Sequence, residues 1–347
     1  MLFRGLIHLL ISLSASRKKR KVAADYISPA LVATFTQQAT IPSLHKSSPA
    51  GINTLLLSKS NPTQFWTGGN DKIVQLFDSS SSKVVASLSG HTKKVTGLAF
   101  REPTNPDTPA LIMSASVDKT SRIWALDSAS GEYAPLHTIK SHKGEVSGIS
   151  LLPTRTFLAL ASMDKTYSIH DLASQQEIYR SPATSTAFAS ASIHPDGLLL
   201  ALGTNKSSIQ IYDVRSGAVA ASLAPPEPVG FSVHTLSFSE NGYHLCAPSS
   251  PSSLAIWDLR HLSSAASIDL GEGFQVNSVR YDAGSSLFLG VAGNEGLRVF
   301  RHKTWEEVVR LDTGGLALSG LDWNADATQL WAAGGREVRM WAPATTT

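Results

Sequence analysis

Short apolar stretches rich in Val, Ile, Leu and Phe alternate with Gly, Asp, Ser and Thr along the chain, the pattern of strands joined by tight turns. In one unit KVVASLSGH leads into VTGLAF, then LIMSASVDKT, then SRIWALD: four strand-like segments with turn signals between them. The unit recurs. VQLFD, RIWAL, SIHDL, IQIYD, AIWDL, RVFRH and VRMWA each carry an aromatic or His at one place: Phe77, Trp124, His170, Tyr212, Trp257, Phe300 and Trp341. Successive spacings are 47, 46, 42, 45, 43 and 41 residues, and such a period is the mark of a repeat architecture.

Segments such as LLLALG at 198–203 are apolar at both alternating positions, as strands buried on both faces are. Asp196-Gly197 and Asn241-Gly242 predict two-residue hairpin turns. Seven four-stranded sheets packed face to face around an axis would bury these strands, so the expected fold is all-β, a seven-bladed β-propeller. The pattern begins at ATFTQQAT, residues 33–40, ahead of GINTLLL, and stops just after Trp341. The last unit then has three strands, and the N-terminal segment is expected to supply the fourth and close the ring. The expected organisation is a disordered tail with a basic cluster over 1–30 and the propeller over 31–347.

Composition adjusts this picture in two places. The net charge of +3 comes from the first 21 residues, which hold Arg4, Arg17, Lys18, Lys19, Arg20 and Lys21 and no acid. Residues 22–347 carry three more acidic than basic side chains, so direct nucleic-acid binding is not expected. Direct RNA binding returns as a reading to weigh if Lys93, Lys94, Lys119, Lys143 and Lys165 share one face. The opening MLFRGLIHLLISLSA is too short to span a bilayer as a helix. Its basic run follows the apolar one, the reverse of a signal peptide. Arg17, Lys18, Lys19, Arg20 and Lys21 have the composition of a nuclear-localisation signal. Cys246 is alone, which leaves no intramolecular disulfide and no Cys-based zinc site.

His and Asp recur at the blade period. Asp71, Asp118 and Asp164 each precede the aromatic position by six residues, and His91 and His142 sit in turns before inner strands. In the second unit His91, Asp118, Trp124 and Ser116 (with Ser114 as the other candidate) can form one hydrogen-bonded chain. A Ser-His-Asp nucleophile site has the same composition. Recurrence at the blade period favours a structural lock, because a catalytic triad needs to occur once. No metal-ligand spacing or phosphate loop is present, so no catalytic residue, metal or cofactor is expected.

The period, the GH turns and the IWD endings resemble WD40 repeats. SASRKKRK, TGGNDKIVQLFD, SLSGHTKKVTGLAF, IHPDGLLLALGTNKSSIQIYDVRSG and SFSENGYHLCAPSSPSSLAIWDLR, in this order, resemble the C-terminal propeller of the pre-mRNA-processing factor 19 family of U-box E3 ubiquitin ligases. The resemblance implies a nuclear, spliceosome-associated protein whose propeller recruits protein partners and ubiquitination substrates, with a family link to DNA repair. In that family a U-box and a coiled coil precede the propeller. The residues before the first strand here contain neither, so this chain is expected to be non-catalytic on its own. Partner contacts are expected at Lys94, Lys119, Glu145 and Lys165 on one rim and at Tyr243 on the other. The alternatives are a propeller-only scaffold and a propeller enzyme with its site in the central channel.

Overall fold

The computed structural model describes residues 26–45, 51–103, 108–225, 230–284 and 287–344. The cluster Arg17, Lys18, Lys19, Arg20 and Lys21 lies outside them.

Among the described residues the strands form seven four-stranded antiparallel sheets, each a meander in chain order except the last. Blade one comprises Ile52–Leu57, Gln64–Gly69, Val74–Asp78 and Lys83–Leu88. The inner strands of the following blades begin at Val95, Val146, Phe188, Ser237, Val276 and Gly320. In the seventh sheet Phe35–Ile41 pairs antiparallel with Glu337–Pro343, Thr36 against Ala342 and Ile41 against Val338. The N-terminal strand closes the ring, as the strand count of the last unit requires. The added strand covers the edge that Glu337–Pro343 would otherwise expose and becomes the outer strand, as the fourth strand is in the other blades.

The second strand of each blade carries the core. Every residue of Leu111–Ser116, Phe157–Ser162 and Phe288–Gly293 is buried, which explains their doubly apolar pattern. The seven recurring positions, Phe77 to Trp341, are all buried between adjacent sheets. His170 is buried at the place where six other blades hold an aromatic ring.

Two local expectations change. The Asp196-Gly197 and Asn241-Gly242 dipeptides lie in longer turns, where Gly197 N–H donates to His194 O at 2.7 Å and Gly242 N–H to Ser239 O at 2.9 Å. Both glycines have φ near +75°, a region that costs glycine little. At Gly242 the carbonyl also accepts from His194 Nε2 of blade four at 2.9 Å, and a Cβ would collide with that ring. Tyr26 and Ile27, expected in the tail, are packed at the junction of blades six and seven. Tyr26 donates to Asp282 at 2.8 Å, and Ile27 is buried with Val32, Phe35, Trp323 and Trp341.

Candidate functional site

Among the described residues three blades carry a His–Asp–hydroxyl lock, with the hydroxyl on the second strand in blades one and two and on the third strand in blade three. In blade two, His91 Nδ1 lies 2.8 Å from Asp118 Oδ2 and Nε2 lies 2.7 Å from Ser114 Oγ. Asp118 also accepts from the Thr92 and Thr120 N–H groups. An ionised Asp118 fixes the tautomer: Nδ1–H donates to it, and Nε2 accepts the Ser114 hydroxyl. Burial pushes the His91 imidazole below its usual range. Burial also acts to raise the Asp118 carboxyl, but donors from Thr120, Thr92 and His91 outweigh it and hold it low. A neutral His above an ionised Asp is the resting state of a hydrolase triad. Here the Ser114 hydroxyl is fully buried, so no acyl carbonyl can reach it. The arrangement can hold strands together; it cannot present a nucleophile.

Ser116 is a correction. Its hydroxyl donates to Lys93 O and Lys94 O and accepts from Asp118 N–H, tying the inner-strand loop to the second hairpin. Ser114 and Ser116 share one face of the strand and differ in position along it: Ser114 lies within the strand beside Ile112, which pairs with Trp124, whereas Ser116 ends the strand against the Lys93–Lys94 loop. Trp124 meets His91 as an edge-on ring contact at 6.1 Å.

Blade one repeats the lock on Asp71, with His45 and Thr67 as partners that the spacing argument missed. His45 Nδ1 lies 2.7 Å from Asp71, and Nε2 lies 2.9 Å from Thr67. His45 precedes its inner strand by a longer loop than His91 does, so no GH turn marks it. In blade three His142 pairs with Asp164 at 3.1 Å and with Ser168 at 2.9 Å. Ser168 lies 2.9 Å from His170 Nε2. One hydroxyl thus sits between two imidazoles. It donates to the unprotonated Nε2 of His142 and accepts from Nε2–H of His170. Burial depresses His170 to about 4.

A second polar system encircles the channel. Asn53 donates to Val95 O at 2.9 Å, Thr96 to Val146 O at 2.6 Å, Ser147 to Phe188 O at 2.5 Å and Ser190 to Val233 O at 2.5 Å. His234 then bonds Val276 O at 2.9 Å, Asn277 donates to Leu318 O at 2.8 Å, and Ser319 donates to Ile52 O. Each blade gives one side-chain donor to the next, and the seventh bond returns to blade one. The sequence signal is an apolar residue followed by a polar one where each inner strand starts: INT, VTG, VSG, FAS, VHT, VNS and LSG, with the blade-four donor one residue later.

The channel has a volume of about 620 Å³, and Lys94, Glu145, His234 and Arg280 are among its lining residues. His234 belongs to the ring. Arg280 Nε lies 3.3 Å from the fully buried Asp322, which also accepts from the Leu57 N–H at 3.0 Å and faces Lys59 at 3.5 Å. Burial acts to raise the Asp322 carboxyl, and the Lys59 and Arg280 charges hold it below its usual range.

The rims carry the remaining expected residues. In blade two Val117 N–H donates to Lys94 O, and in blade three Met163 N–H donates to Glu145 O. These bonds place Lys94 and Lys119, and Glu145 and Lys165, in joined loops on one rim. Lys93 and Lys143 occupy the same loops. Tyr243 is on the opposite rim and 45% exposed, with the Arg260 guanidinium 4.7 Å over its ring. Arg260, which sequence reasoning missed, is held by Asp258 at 2.6 Å.

Residues 82–125 match the family of the WD domain, G-beta repeat, and residues 149–241 match the anaphase-promoting complex subunit 4 WD40 domain. The chain is 34% identical over 286 residues to pre-mRNA-processing factor 19 homolog 2 of Arabidopsis thaliana, covering 82% of this chain and 51% of that protein. Pre-mRNA-processing factor 19 of Oryza sativa subsp. japonica is also 34% identical, over 82% of this chain and 52% of its own. The Homo sapiens protein of that name is 33% identical over 301 residues, 86% of this chain and 57% of its own. The chain thus spans about half the length of the curated relatives it matches. With seven sheets closed by an N-terminal strand and these matches along most of its length, the chain belongs to the WD40 repeat propellers and is similar to pre-mRNA-processing factor 19.

Proposed function

We propose that this chain is a protein-recruitment module of a splicing assembly, acting in the nucleus through its rims. The observation that carries the reading is the similarity to proteins named for pre-mRNA processing over at least four-fifths of the chain, that is, over the propeller itself. The sealed hydroxyl of Ser114 supports recruitment over hydrolysis by that network. Among the described residues no helix is long and apolar enough to cross a membrane. The same resemblance extends the proposal to ubiquitination: the propeller presents substrates, and the transfer chemistry is done elsewhere.

The two rims are the proposed contact surfaces. Lys94, Lys119, Glu145 and Lys165 serve on one and Tyr243 on the other, where an exposed aromatic under an Arg has the composition of an interface anchor. The test is affinity purification of the tagged chain from its own cells, with imaging of its location. Spliceosomal proteins are expected to co-purify from nuclei. Lys94→Ala with Lys119→Ala, or Tyr243→Ala, is expected to reduce their recovery without lowering the melting temperature. A chain that stays out of nuclei and recovers no splicing protein would overturn the proposal.

A further inference from the structure

The rim over blades one to three has an uneven charge that is not visible in the near-neutral total. Lys72, Lys119 and Lys165 occupy the same turn in successive blades, with φ of 72°, 73° and 72°. Lys93, Lys94 and Lys143 lie in the adjoining loops, and all six are exposed. None of them joins an ion pair among the described residues. The carboxylates of the same turns are withdrawn: Asp71, Asp118 and Asp164 turn inward onto His45, His91 and His142, with side chains 4%, 5% and 11% exposed. Glu145 and these three acids together do not balance the six lysines. On the same rim across the channel, the loops and turns of blades five to seven expose Asp269, Glu272, Glu295 and Asp312. Met163 stands among the lysines, 38% exposed and two residues before Lys165.

We propose that this lysine sector docks an acidic peptide segment of a partner protein, its carboxylates on Lys94, Lys119, Lys143 and Lys165 and one apolar side chain on Met163. The inference rests on the recruitment reading above and names the chemistry of its partner. An acidic peptide fits better than RNA for three reasons. A polyphosphate crossing the channel would meet the acidic sector. Glu145 sits among the lysines, where a phosphate chain would be repelled and a peptide N–H can pair. The exposed large apolar group in the sector is a methionine, whereas single strands are gripped by stacking on aromatic rings.

The test is fluorescence anisotropy on the full chain. The probe is a short labelled peptide with a central Leu flanked by Asp and Glu; the comparators are the same peptide with Ser for Leu and a single-stranded RNA of equal charge. The acidic peptide is expected to bind, and its affinity to fall with added salt. The triple variant Lys94→Glu, Lys119→Glu, Lys165→Glu is expected to bind about tenfold more weakly or worse, with an unchanged melting temperature. Glu272→Lys with Glu295→Lys is expected to leave binding intact or tighter. No binding below ~1 mM, equal binding of the Ser peptide, or tighter binding of the RNA overturns the inference. If the native chain recovers splicing proteins from cells but fails the peptide test, the inference falls and the recruitment reading stands. If it recovers none, the recruitment reading falls whatever the peptide does.

Discussion

Replacing Phe35 by Ala tests the closure of the propeller at one side chain. Phe35 opens the N-terminal strand, is 4% exposed, and lies opposite Pro343 in the register with the last strand. Its ring packs 6.5 Å from that of Trp323, in a cluster that includes Ile27, Val32, Leu330 and Trp341. Truncating a core Phe to Ala costs about 3–5 kcal/mol. An outer strand can relax toward the void, which places this site near the lower end, about 3 kcal/mol. Against a net stability of about 5–15 kcal/mol, that is a large fraction. The assay is urea unfolding followed by tryptophan fluorescence, with Trp323 and Trp341 reporting from the affected cluster. With a slope of about 3 kcal/mol per molar, the midpoint is expected to fall by about 1 M. Thr36→Ala, exposed in the same strand, is the control and is expected to shift stability by less than about 0.5 kcal/mol. Equal midpoints for the two variants would refute the claim that this strand latches the ring.

Three further outcomes are expected. His170 is held at about 4 when folded against about 6.5 unfolded, so the unfolded chain binds the extra proton first. The stability this shift contributes is fully present above pH 6.5 and is lost as pH falls toward 4, up to ~3 kcal/mol; His170→Phe is expected to flatten urea midpoints measured across that window, and an unchanged slope would contradict it. Ser114→Ala strips the buried Nε2 of His91 of its donor and is expected to cost about 1–3 kcal/mol, while Ser114→Cys, which keeps a weak donor, costs less; equal losses in thermal melts would show that the hydrogen bond is not the cause. Cys246 is fully buried and its thiol is pushed far up by desolvation, so with E1, E2, ubiquitin and ATP no thioester on Cys246 is expected; a reducible ubiquitin adduct lost in Cys246→Ser would overturn this.

The fold was legible because a propeller repeats its evidence. One aromatic per blade, buried at the same point of the third strand, gives seven readings of one position, and a His at 170 does not erase the period. The closure strand was legible by counting, since three strands in the last unit leave one to find. The site was less so. Choosing Ser116 over Ser114 was a choice along the strand, not between its faces: the two side chains point the same way, and a run of six buried residues marks no point along its length. His45 was missed because it lies farther ahead of its inner strand than His91 does and no GH turn marks it. The channel ring was missed for a different reason. Its donors are two Asn, one Thr, three Ser and one His, alike only in having a polar hydrogen to give, so no single residue type marks the period.

The two polar systems act on different parts of recognition. The channel ring ties each inner strand to the next through a buried backbone carbonyl, so a partner pressing on one blade meets the stiffness of all seven. The His–Asp locks act on the rim. Asp118 and Asp164, which fix His91 and His142, also accept N–H bonds from their own turns, at Thr120 and Thr166, and from the neighbouring loops, at Thr92 and Lys143. Those bonds set the turn that carries Lys119 or Lys165 in its left-handed conformation. The backbone beneath each lysine is therefore fixed before a partner arrives, and less ordering remains to be done on binding. The same bonds draw the negative charge inward and leave the lysines at the surface. Asp118→Asn would test this double role: it removes a charge beneath Lys119 yet loosens the turn. If electrostatics dominate, the variant binds an acidic partner more tightly despite a lower melting temperature. If the fixed turn dominates, affinity and stability fall together.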